Sequence, residues 1–400
     1  LPFPDRGGYP GRGRLPLHEK CLGSDLMNNA TSYSTWVEID LDAIRNNIQW
    51  FLEYSGVPVM AVVKANAYGH GMIPVARAAL QAGASWCGVA RIEEAFELRA
   101  AGLNSPILVM GYTPPDRVEK AVAQGISMAV WHPGQIDLAA SAAKAIGSSA
   151  RLHLKVDTGM SRLGIQPEMV HRLAQKLAET PGVTFEGLFT HFARADEADP
   201  APTDAQELHF QNVIEQLEKN GLRPSVVHAA NSAASLTRPS AHFDLMRVGI
   251  AMYGLHPSDE CSLPGAVRAA LTWKAVLSQV KVLPPGRGVS YGHIYTTRSQ
   301  EQIATVPVGY ADGFRRTLGN QVLVAGKRVP VVGRVCMDQI MIQLDEVPGA
   351  RAGDEVVLIG QQGEARMTAE DVAKIWGTIN YEVTCAISAR VPHVYLHETA

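Results

Sequence analysis

The chain has 400 residues, of which 46% are hydrophobic and 19% are charged, and its formal net charge is −3. This length predicts one large and one smaller domain rather than a single small core. The near-neutral charge argues against a nucleic-acid or membrane-surface partner, and no apolar run is long enough to cross a bilayer.

The cysteines are scattered, odd in number and free of CxxC spacing. They are Cys21, Cys87, Cys261, Cys336 and Cys385. Such a pattern favours a reducing compartment, which we expect to be the cytoplasm, without structural disulfides. The same spacing gives no reason to predict a zinc site or any other metal site.

Residues 1–34 differ in composition from the rest of the chain. They are rich in Gly, Pro and Arg and have no apolar segment of the kind found in secretory signals. A segment of this composition cannot bury enough apolar surface to order itself. We therefore expect residues 1–34 to be a disordered N-terminal extension.

From Trp36 onward, strand-like and helix-like patterns alternate. The strand-like runs are 36–40, 57–63, 86–90, 107–110, 126–130, 152–156, 184–190, 226–229 and 243–248. The helical runs are 41–54, 74–81, 92–101, 115–123, 134–145, 167–179 and 204–219. This alternation of strands with helices predicts an α/β fold with an N-terminal (β/α)8 barrel over residues 35–267. Spacing alone leaves a doubly wound sheet open, although no GxGxxG motif begins the first unit.

The run Val57–Val63 ends in Lys64, at the carboxyl end of a predicted strand. A lysine there is either a solvated end or a working amine, because lysine is rarely buried unless it is paired or catalytic. Tyr68 lies four residues further on, at the start of the next helix, where backbone N–H groups attract phosphate. An amine beside an anion site is what a Schiff-base enzyme using pyridoxal phosphate (PLP) requires.

Other polar residues also follow predicted barrel strands, which is where barrel enzymes carry their chemistry. They are Lys155, Asp157, Arg162, His191, His228, Asn231, Ser232 and Arg247. Each alone has an ordinary structural explanation, and their shared placement is what favours function. Asn231 and Ser232 before a helix, with Gly249 and Ile250 on the barrel lip, predict a phosphate site, since loops after the last strands commonly bind phosphate.

After Arg268 the pattern becomes β-rich, which predicts a second, mainly antiparallel domain over residues 268–400. Helical pattern returns only at Thr368–Gly377. Two loops carry a tyrosine beside glycine, at Tyr291 and at Tyr310, although tyrosines at strand ends are ordinarily packing residues. We interpret Cys336 as a small buried hydrophobe rather than a nucleophile, because no histidine is near it in sequence.

Ten motifs occur in the order expected of an alanine racemase, and they span nearly all of residues 36–393. They are WVEIDLDAIRNN, VVKANAYGHG, LKVDTGMSRLGI, THFARAD, HAANSAA, MRVGIAMYG, VSYGHIY, VGYADG, GRVCMDQ and TINYEV. The chain therefore resembles the PLP-dependent, fold-type III alanine racemases. The one departure is Ser161, where relatives often have glycine.

The resemblance implies a homodimer that interconverts L-alanine and D-alanine and supplies D-alanine for peptidoglycan. Lys64 would form the Schiff base with PLP and act as one acid–base group. Tyr291, donated by the partner subunit, would act as the other on the opposite face. Arg247 would hydrogen-bond the pyridine nitrogen, and His191 would link that arginine toward the tyrosine.

The remaining cofactor and substrate contacts also follow from the resemblance. The phosphate ligands would be Tyr68, Ser232, Gly249, Ile250 and Tyr381, beside Asn231. Substrate contacts would come from Arg162, from the Met337 amide of the partner chain, and from Tyr310 at the entrance. Lys155 matches a lysine that is often carbamylated, and the anionic carbamate would pair with Arg162.

Three other readings compete with this one. A serine or broad-specificity racemase on the same scaffold would favour a smaller or polar residue at Tyr381. A non-catalytic PLP-binding protein would resemble the barrel alone, without Tyr291 and Met337. A decarboxylase or aldolase would place a carboxylate, not Arg247, at the pyridine nitrogen.

Overall fold

The computed structural model describes residues 32–398. The predicted disordered extension, residues 1–34, lies almost entirely outside the described residues. Within the described part, no helix is both long enough and apolar enough to cross a membrane.

Eight parallel strands form a nearly closed barrel. They are β2 (Val59–Val62), β3 (Trp86–Val89), β4 (Ile107–Val109), β5 (Ser127–Val130), β6 (Ala150–Lys155), β7 (Val183–Phe189), β8 (Val226–His228) and β9 (Met246–Val248). The two end strands β8 and β9 approach each other through backbone hydrogen bonds from Asp244 to Val227 (3.0 Å) and from Arg247 to Ala230 (3.0 Å). All four residues of β2 are buried, as expected for a parallel strand covered on both faces.

One helix precedes the first barrel strand and the others follow barrel strands, and they cover the outer surface of the barrel. They are α1 (Leu41–Ser55), α2 (Met72–Gln81), α3 (Ile92–Ala100), α4 (Val118–Ala123), α5 (Pro133–Ile146), α6 (Val170–Glu179), α7 (Ala201–Lys219) and α8 (Ser232–Thr237). Short 3-10 turns occur at Pro115–Arg117, Pro167–Met169, Pro239–Ala241 and Ile250–Tyr253. Helix α1 begins where the Asp40 carboxylate accepts the Ala43 N–H (3.0 Å), and it ends at Gly56 in the left-handed conformation (φ 69°).

The second sheet has ten strands and is antiparallel except for one pair. They are β1 (Thr35–Asp40), β10 (Leu271–Val276), β11 (Gln279–Leu283), β14 (Glu301–Val306), β15 (Gln321–Val324), β16 (Lys327–Val332), β17 (Ile340–Gln343), β18 (Glu355–Gln362), β19 (Ala365–Met367) and β20 (His393–Leu396). A small hairpin joins β12 (Gly288–Val289) to β13 (Tyr295–Thr296). Side chains of β10 alternate between buried and half-buried, the pattern of a sheet with one covered face.

The first strand does not belong to the barrel, although the predicted barrel range began at residue 35. β1 pairs antiparallel with β10 and parallel with β20, so it completes the second sheet before the chain enters α1. Its sequence cannot reveal this, because an apolar strand followed by a helix reads the same in either sheet. The barrel therefore begins at β2, and Lys64 follows its first strand.

Polar contacts hold the second sheet and its connection to the barrel. The buried amide of Asn47 donates to the carbonyl oxygens of Met252 (2.9 Å) and Arg268 (2.8 Å) and accepts the Arg268 N–H (2.9 Å). Asn47 lies on α1, so it holds the segment that leaves the barrel for the second sheet. The indole of Trp273 likewise donates to Thr35 Oγ1 (3.0 Å), inside the second sheet.

The C-terminal region contains one helix more than predicted. α9 (Ala369–Trp376) matches the predicted helical run, and α10 (Asn380–Ala386) follows it. The expectation that helical pattern returns only at Thr368–Gly377 was wrong, because seven residues are too few to give a periodic signal. α10 carries Tyr381 and brings it to the barrel.

Candidate active site

The loop after β2 has a left-handed backbone conformation. Ala65, Asn66, Ala67 and Tyr68 have φ of 53°, 52°, 54° and 53°. For residues with a Cβ atom this conformation costs about 1–2 kcal/mol each. Strain of this size persists only where surrounding contacts determine the backbone, and it concentrates at functional sites.

Those contacts come from three neighbouring helices. The Asn66 side chain accepts the Met72 N–H (2.9 Å) at the start of α2, and Glu94 accepts the Ala65 N–H (2.6 Å). Gly69 (φ 83°) lies so close to α10 that a Cβ atom there would be 2.2 Å from the Thr384 carbonyl oxygen. The loop is therefore clamped between α2 and α10, which fixes the direction of the preceding Lys64.

Lys64 lines a cavity of about 400 Å³ at the carboxyl end of the barrel. Its lining includes Tyr68, Met110, Met160, Arg162, His191, Phe192, Asp196, Asn231, Ser232, Arg247, Gly249, Ile250, Pro257, Ile379 and Tyr381. The structure thus brings together all the predicted cofactor residues and Arg162. The prediction missed Asp196 and Ile379, although Asp196 ends the THFARAD motif and could have been found from it.

Arg247 is the most completely enclosed cation of this cavity, with 3% of its surface exposed. Its Nη2 donates to the carbonyl oxygens of Thr190 (2.8 Å) and Ala229 (2.8 Å) and lies 3.3 Å from His191 Nδ1. Burial lowers the pKa of Arg247 to about 9, which still leaves the guanidinium charged at neutral pH. Arg247 is therefore a fixed donor at the cavity wall.

The two lysines of the site are shifted toward their neutral forms. Burial is the largest cause that lowers the pKa of Lys64, followed by the charge of Arg162. Burial, Arg247 and Arg162 together lower the pKa of Lys155 to about 7. A lysine whose pKa is lowered has a larger neutral fraction, and the neutral amine can act as a nucleophile or a base. A fully protonated lysine can do neither.

One side of the cavity is lined by small groups and hydroxyls. Ser232, at the start of α8, accepts the N–H of Gly249 (2.8 Å) and of Ala251 (3.3 Å) through its Oγ atom. A Cβ atom on Gly249 would lie 2.7 Å from the Tyr68 hydroxyl oxygen, so a side chain there would fill this space. The Tyr68 ring packs between Tyr253 (5.0 Å) and Tyr381 (6.1 Å), measured between ring centres.

Three predicted residues of the second sheet lie apart from this cavity. Tyr291 and Met337 line a separate, open cavity of about 970 Å³ and are 69% and 53% exposed. The Tyr310 N–H donates to the Cys336 carbonyl oxygen (3.1 Å), which ties its loop to that of Met337. A single chain therefore presents these side chains outward, away from Lys64.

Ser161, the one departure from the familiar motifs, has a left-handed backbone (φ 54°). This conformation favours glycine, which explains why glycine suits the position. The Ser161 N–H donates to the Asp157 carboxylate (2.9 Å), and the same carboxylate accepts the Gly159 N–H (3.1 Å). The loop that carries Arg162 is thus held by Asp157.

Across residues 32–398, no group of three or more His, Cys, Asp or Glu side chains is arranged to hold a metal.

Comparisons with known proteins agree with this geometry. A family model described as the alanine racemase N-terminal domain matches residues 39–257, and one described as the C-terminal domain matches residues 270–395. An alanine racemase of Symbiobacterium thermophilum is 48% identical over 370 residues, covering 92% of this chain and 98% of the relative.

Solved structures are also similar. The crystal structure of the alanine racemase from the D-cycloserine-producing Streptomyces lavendulae superposes with a TM-score of 0.87 at 43% identity, covering 92% of this chain and 98% of that one. An alanine racemase from Bacillus anthracis with bound L-Ala-P gives a TM-score of 0.85 at 43% identity, covering 91% of this chain and 95% of that one.

The barrel, the amine at its mouth and the cationic cavity define a two-domain isomerase of the barrel class. More particularly, the chain belongs to the alanine racemase family. This membership agrees with the fold and the family expected from the sequence.

Proposed function

We propose that this protein interconverts L-alanine and D-alanine with PLP held in the barrel cavity and covalently attached to Lys64. The observation that carries the proposal is the position of Lys64, a half-buried amine of lowered pKa at the mouth of a cavity lined by Arg162 and Arg247. PLP, when bound, supplies the electron sink that stabilises the charge left on alanine when its Cα proton is removed.

The lining of the cavity fits this cofactor. Cations predominate there, since Lys64, Arg162 and Arg247 line it, and a phosphate would balance that charge. Tyr68, Ser232, Gly249, Ile250 and Tyr381 would hold the phosphate, with Asn231 capping α8 through the Ala234 N–H (3.0 Å). The missing side chain at Gly249 leaves the room that such a group requires.

Arg247 would donate a hydrogen bond to the pyridine nitrogen. It stays charged at neutral pH and keeps its protons, so that nitrogen would remain an unprotonated acceptor. His191 lies beside Arg247, and burial together with the charge of Arg247 lowers its pKa well below the usual range. His191 would therefore act as a neutral link from Arg247 toward the second base.

Two bases on opposite faces allow racemisation without movement of either base across the substrate. Lys64 would remove or return the Cα proton on one face, and Tyr291 of the second subunit would do so on the other. The exposed position of Tyr291 and Met337 supports a homodimer in which each active site is shared between two chains. Arg162, the Met337 amide and Tyr310 would bind the substrate carboxylate and line its entrance.

Lys155 would carry a carbamate that holds Arg162. Its pKa of about 7 leaves much of the amine neutral, and only the neutral amine attacks carbon dioxide. In that step the N–C bond forms and one proton leaves the nitrogen. The resulting anion would form a charge-assisted hydrogen bond with Arg162.

The pocket suits alanine better than serine. The Tyr381 hydroxyl donates to the Pro257 carbonyl oxygen (3.3 Å), which holds the ring at the cavity wall and leaves space for a small side chain.

We include in the proposal a biosynthetic role, the supply of D-alanine for peptidoglycan, and a cytoplasmic location. The unpaired state of Cys87, Cys261, Cys336 and Cys385 supports a reducing compartment.

The test is to load the purified protein with PLP and follow the optical rotation of L-alanine, L-serine and L-lysine in parallel. We expect rapid loss of rotation with L-alanine and much slower change with the other two. Unchanged rotation of L-alanine, in protein whose visible spectrum shows bound PLP, would refute the proposed activity. Equal or faster change with L-serine would favour the broad-specificity alternative.

A further inference from the structure

A line of polar side chains runs from Arg247 across the barrel interior. Arg247 Nη1 lies 3.0 Å from His228 Nδ1, and His228 Nε2 lies 3.0 Å from His153 Nδ1. His153 Nε2 then lies 3.1 Å from Oε2 of Glu186. These residues stand on β9, β8, β6 and β7, and both histidines are fully buried. Such a line is unusual in a barrel interior, which is ordinarily filled by branched apolar side chains.

The strands leave room for this line. A Cβ atom on Gly187 would lie 2.2 Å from His153 Nδ1, so the imidazole packs against bare backbone. The pairing of β6 with β7 also shifts register between Leu152 and His153. Both features leave room for the His153 ring between the side chains of Glu186 and His228.

The two ends of the line determine where each proton lies. Arg247 only donates, so His228 Nδ1 must accept and its proton must sit on Nε2. His153 Nδ1 then accepts from His228, and the proton of His153 sits on its own Nε2. That proton needs an acceptor, and an ionised Glu186 supplies one. Only this pair of tautomers satisfies every contact in the line.

The charges agree with this assignment. Burial, and then the charge of Arg247, lower the pKa of His228 well below its usual range, so its ring is neutral. Burial alone would raise the pKa of Glu186, but hydrogen bonds from His153 and from the Ser127 hydroxyl outweigh it and lower the pKa. Glu186 is therefore an ionised acceptor at the far end of the line.

We infer that Glu186 is a positioning residue for Arg247, which acts by fixing the tautomers of His153 and His228. Without an acceptor at residue 186, the buried Nε2 proton of His153 has no partner, which is unfavourable for a buried donor. Moving the protons of both rings to Nδ1 removes that cost but points the His228 N–H at the guanidinium. Donor then faces donor, and Arg247 loses its fixed place. The functional consequence rests on the proposed contact of Arg247 with the pyridine nitrogen.

The experiment compares Glu186→Leu, which removes the acceptor, with Glu186→Gln, whose amide oxygen keeps it. Histidine-selective 15N NMR of the protein without PLP reports the proton position on each ring. In the parent and in Glu186→Gln we expect both His153 and His228 protonated at Nε2. In Glu186→Leu we expect a large fraction of Nδ1 protonation at both rings. Ser127→Ala is the control, because it leaves the acceptor in place and should keep the parent tautomers.

The PLP-loaded proteins provide the second readout. Glu186→Leu should lower kcat/KM by on the order of tenfold, the low end of what removal of outer-shell hydrogen-bond partners costs at metal sites. Glu186→Gln should stay within about threefold of the parent. A structural role alone would lower thermal stability in both variants and leave the tautomers unchanged.

Three results would overturn the inference. They are parent histidines protonated at Nδ1, parent-like tautomers in Glu186→Leu, or a Glu186→Gln enzyme as impaired as Glu186→Leu. The first of these needs no variant, so the inference stays testable even if Glu186→Leu fails to fold. Because the NMR measurement needs neither PLP nor alanine, failure of the proposed racemisation would leave the tautomer result intact.

Discussion

The Nζ atom of Lys155 lies 4.6 Å from the centre of the Phe189 ring, at a position where only 6% of the residue is exposed. Among residues 32–398 no carboxylate forms an ion pair with this amine, although the charge of Asp157 opposes part of the shift in its pKa. The neighbouring cations Arg247, Arg162 and Lys64 all favour the neutral amine. A buried positive charge at Lys155 is unfavourable beside these three cations, and a negative charge there would be stabilised by them.

Carbamylation of Lys155 is therefore the first prediction. Protein equilibrated with 13C-bicarbonate at pH 8 should give a carbamate carbon signal that is absent from Lys155→Ala. Loss of the charged partner of Arg162 should lower kcat/KM by about 10- to 100-fold, because a hydrogen bond to a charged group contributes about 1.5–3 kcal/mol. A signal of equal intensity in Lys155→Ala would assign the carbamate elsewhere, and no signal in the parent would exclude it.

The second prediction concerns stability in acid and the buried His70. Burial is the main cause that lowers its pKa from 6.5 to about 4, and its Nε2 atom has no partner among the described residues. The unfolded chain binds the proton more readily, so stability rises with pH between about 4 and 6.5 and is lowest below pH 4. The shift corresponds to about 3 kcal/mol.

Urea unfolding at several pH values and one protein concentration checks this prediction. His70→Asn keeps a donor for the Tyr68 carbonyl oxygen, which His70 Nδ1 contacts at 3.0 Å, but cannot titrate. Its loss of stability from pH 7 to pH 4 should be smaller than that of the parent by about 3 kcal/mol. His209→Asn, at an exposed position on α7, is the matched control and should follow the parent. Equal acid slopes in all three proteins would show that His70 does not control this range.

Local pattern predicted the barrel and the residues at the ends of its strands. Lys64 and Arg162 follow recognisable strands and Arg247 lies within one, and parallel strands bring their carboxyl ends to one face. Pattern could not assign β1 to the second sheet, because strand partners are set by contacts across more than 200 residues, such as Trp36 with Lys274. It also missed α10, which is too short to be periodic.

The line of side chains from Arg247 to Glu186 could not be predicted from the sequence, for a different reason. His153, Glu186 and His228 belong to separate strands, and each reads singly as a core or surface residue. Their alignment depends on the register shift at His153 and on the absence of a side chain at Gly187. The register shift has no local sequence signal, and although a glycine inside a strand can mark a close approach, it does not show which side chain approaches.

The third prediction tests the space beside Gly249. The Cβ atom of Gly249→Ala would lie 2.7 Å from the Tyr68 hydroxyl oxygen and 3.3 Å from its Cζ. Tyr68 is buried between two other tyrosine rings and cannot move away easily. Overpacking of this kind costs about 1–3 kcal/mol, so PLP affinity should fall by about tenfold or more.

Titration of the PLP-free protein, followed by the visible absorption of the bound cofactor, measures this affinity. Gly265→Ala is the matched control, since no atom lies within 4 Å of the added Cβ and the backbone there is unstrained. Its affinity should equal that of the parent. An unchanged affinity in Gly249→Ala would mean that the cofactor does not use this side of the cavity.

The last prediction tests whether the active site is shared between chains. Lys64 lines the barrel cavity, whereas Tyr291 is 69% exposed in a different cavity of the same chain, so Tyr291 should reach Lys64 of a second copy. Lys64→Ala and Tyr291→Phe should each be inactive as homodimers. In a mixed dimer, one site combines the intact Lys64 of one chain with the intact Tyr291 of the other, while the second site lacks both. With random exchange, half of the dimers are mixed and each has one working site of two, so about one quarter of parental activity should return.

Exchange is verified with chains of different mass, and the control mixes Lys64→Ala with the Lys64→Ala/Tyr291→Phe double variant, which can form no complete site. If the first mixture stays inactive despite proven exchange, Tyr291 acts within its own chain and the shared site is refuted.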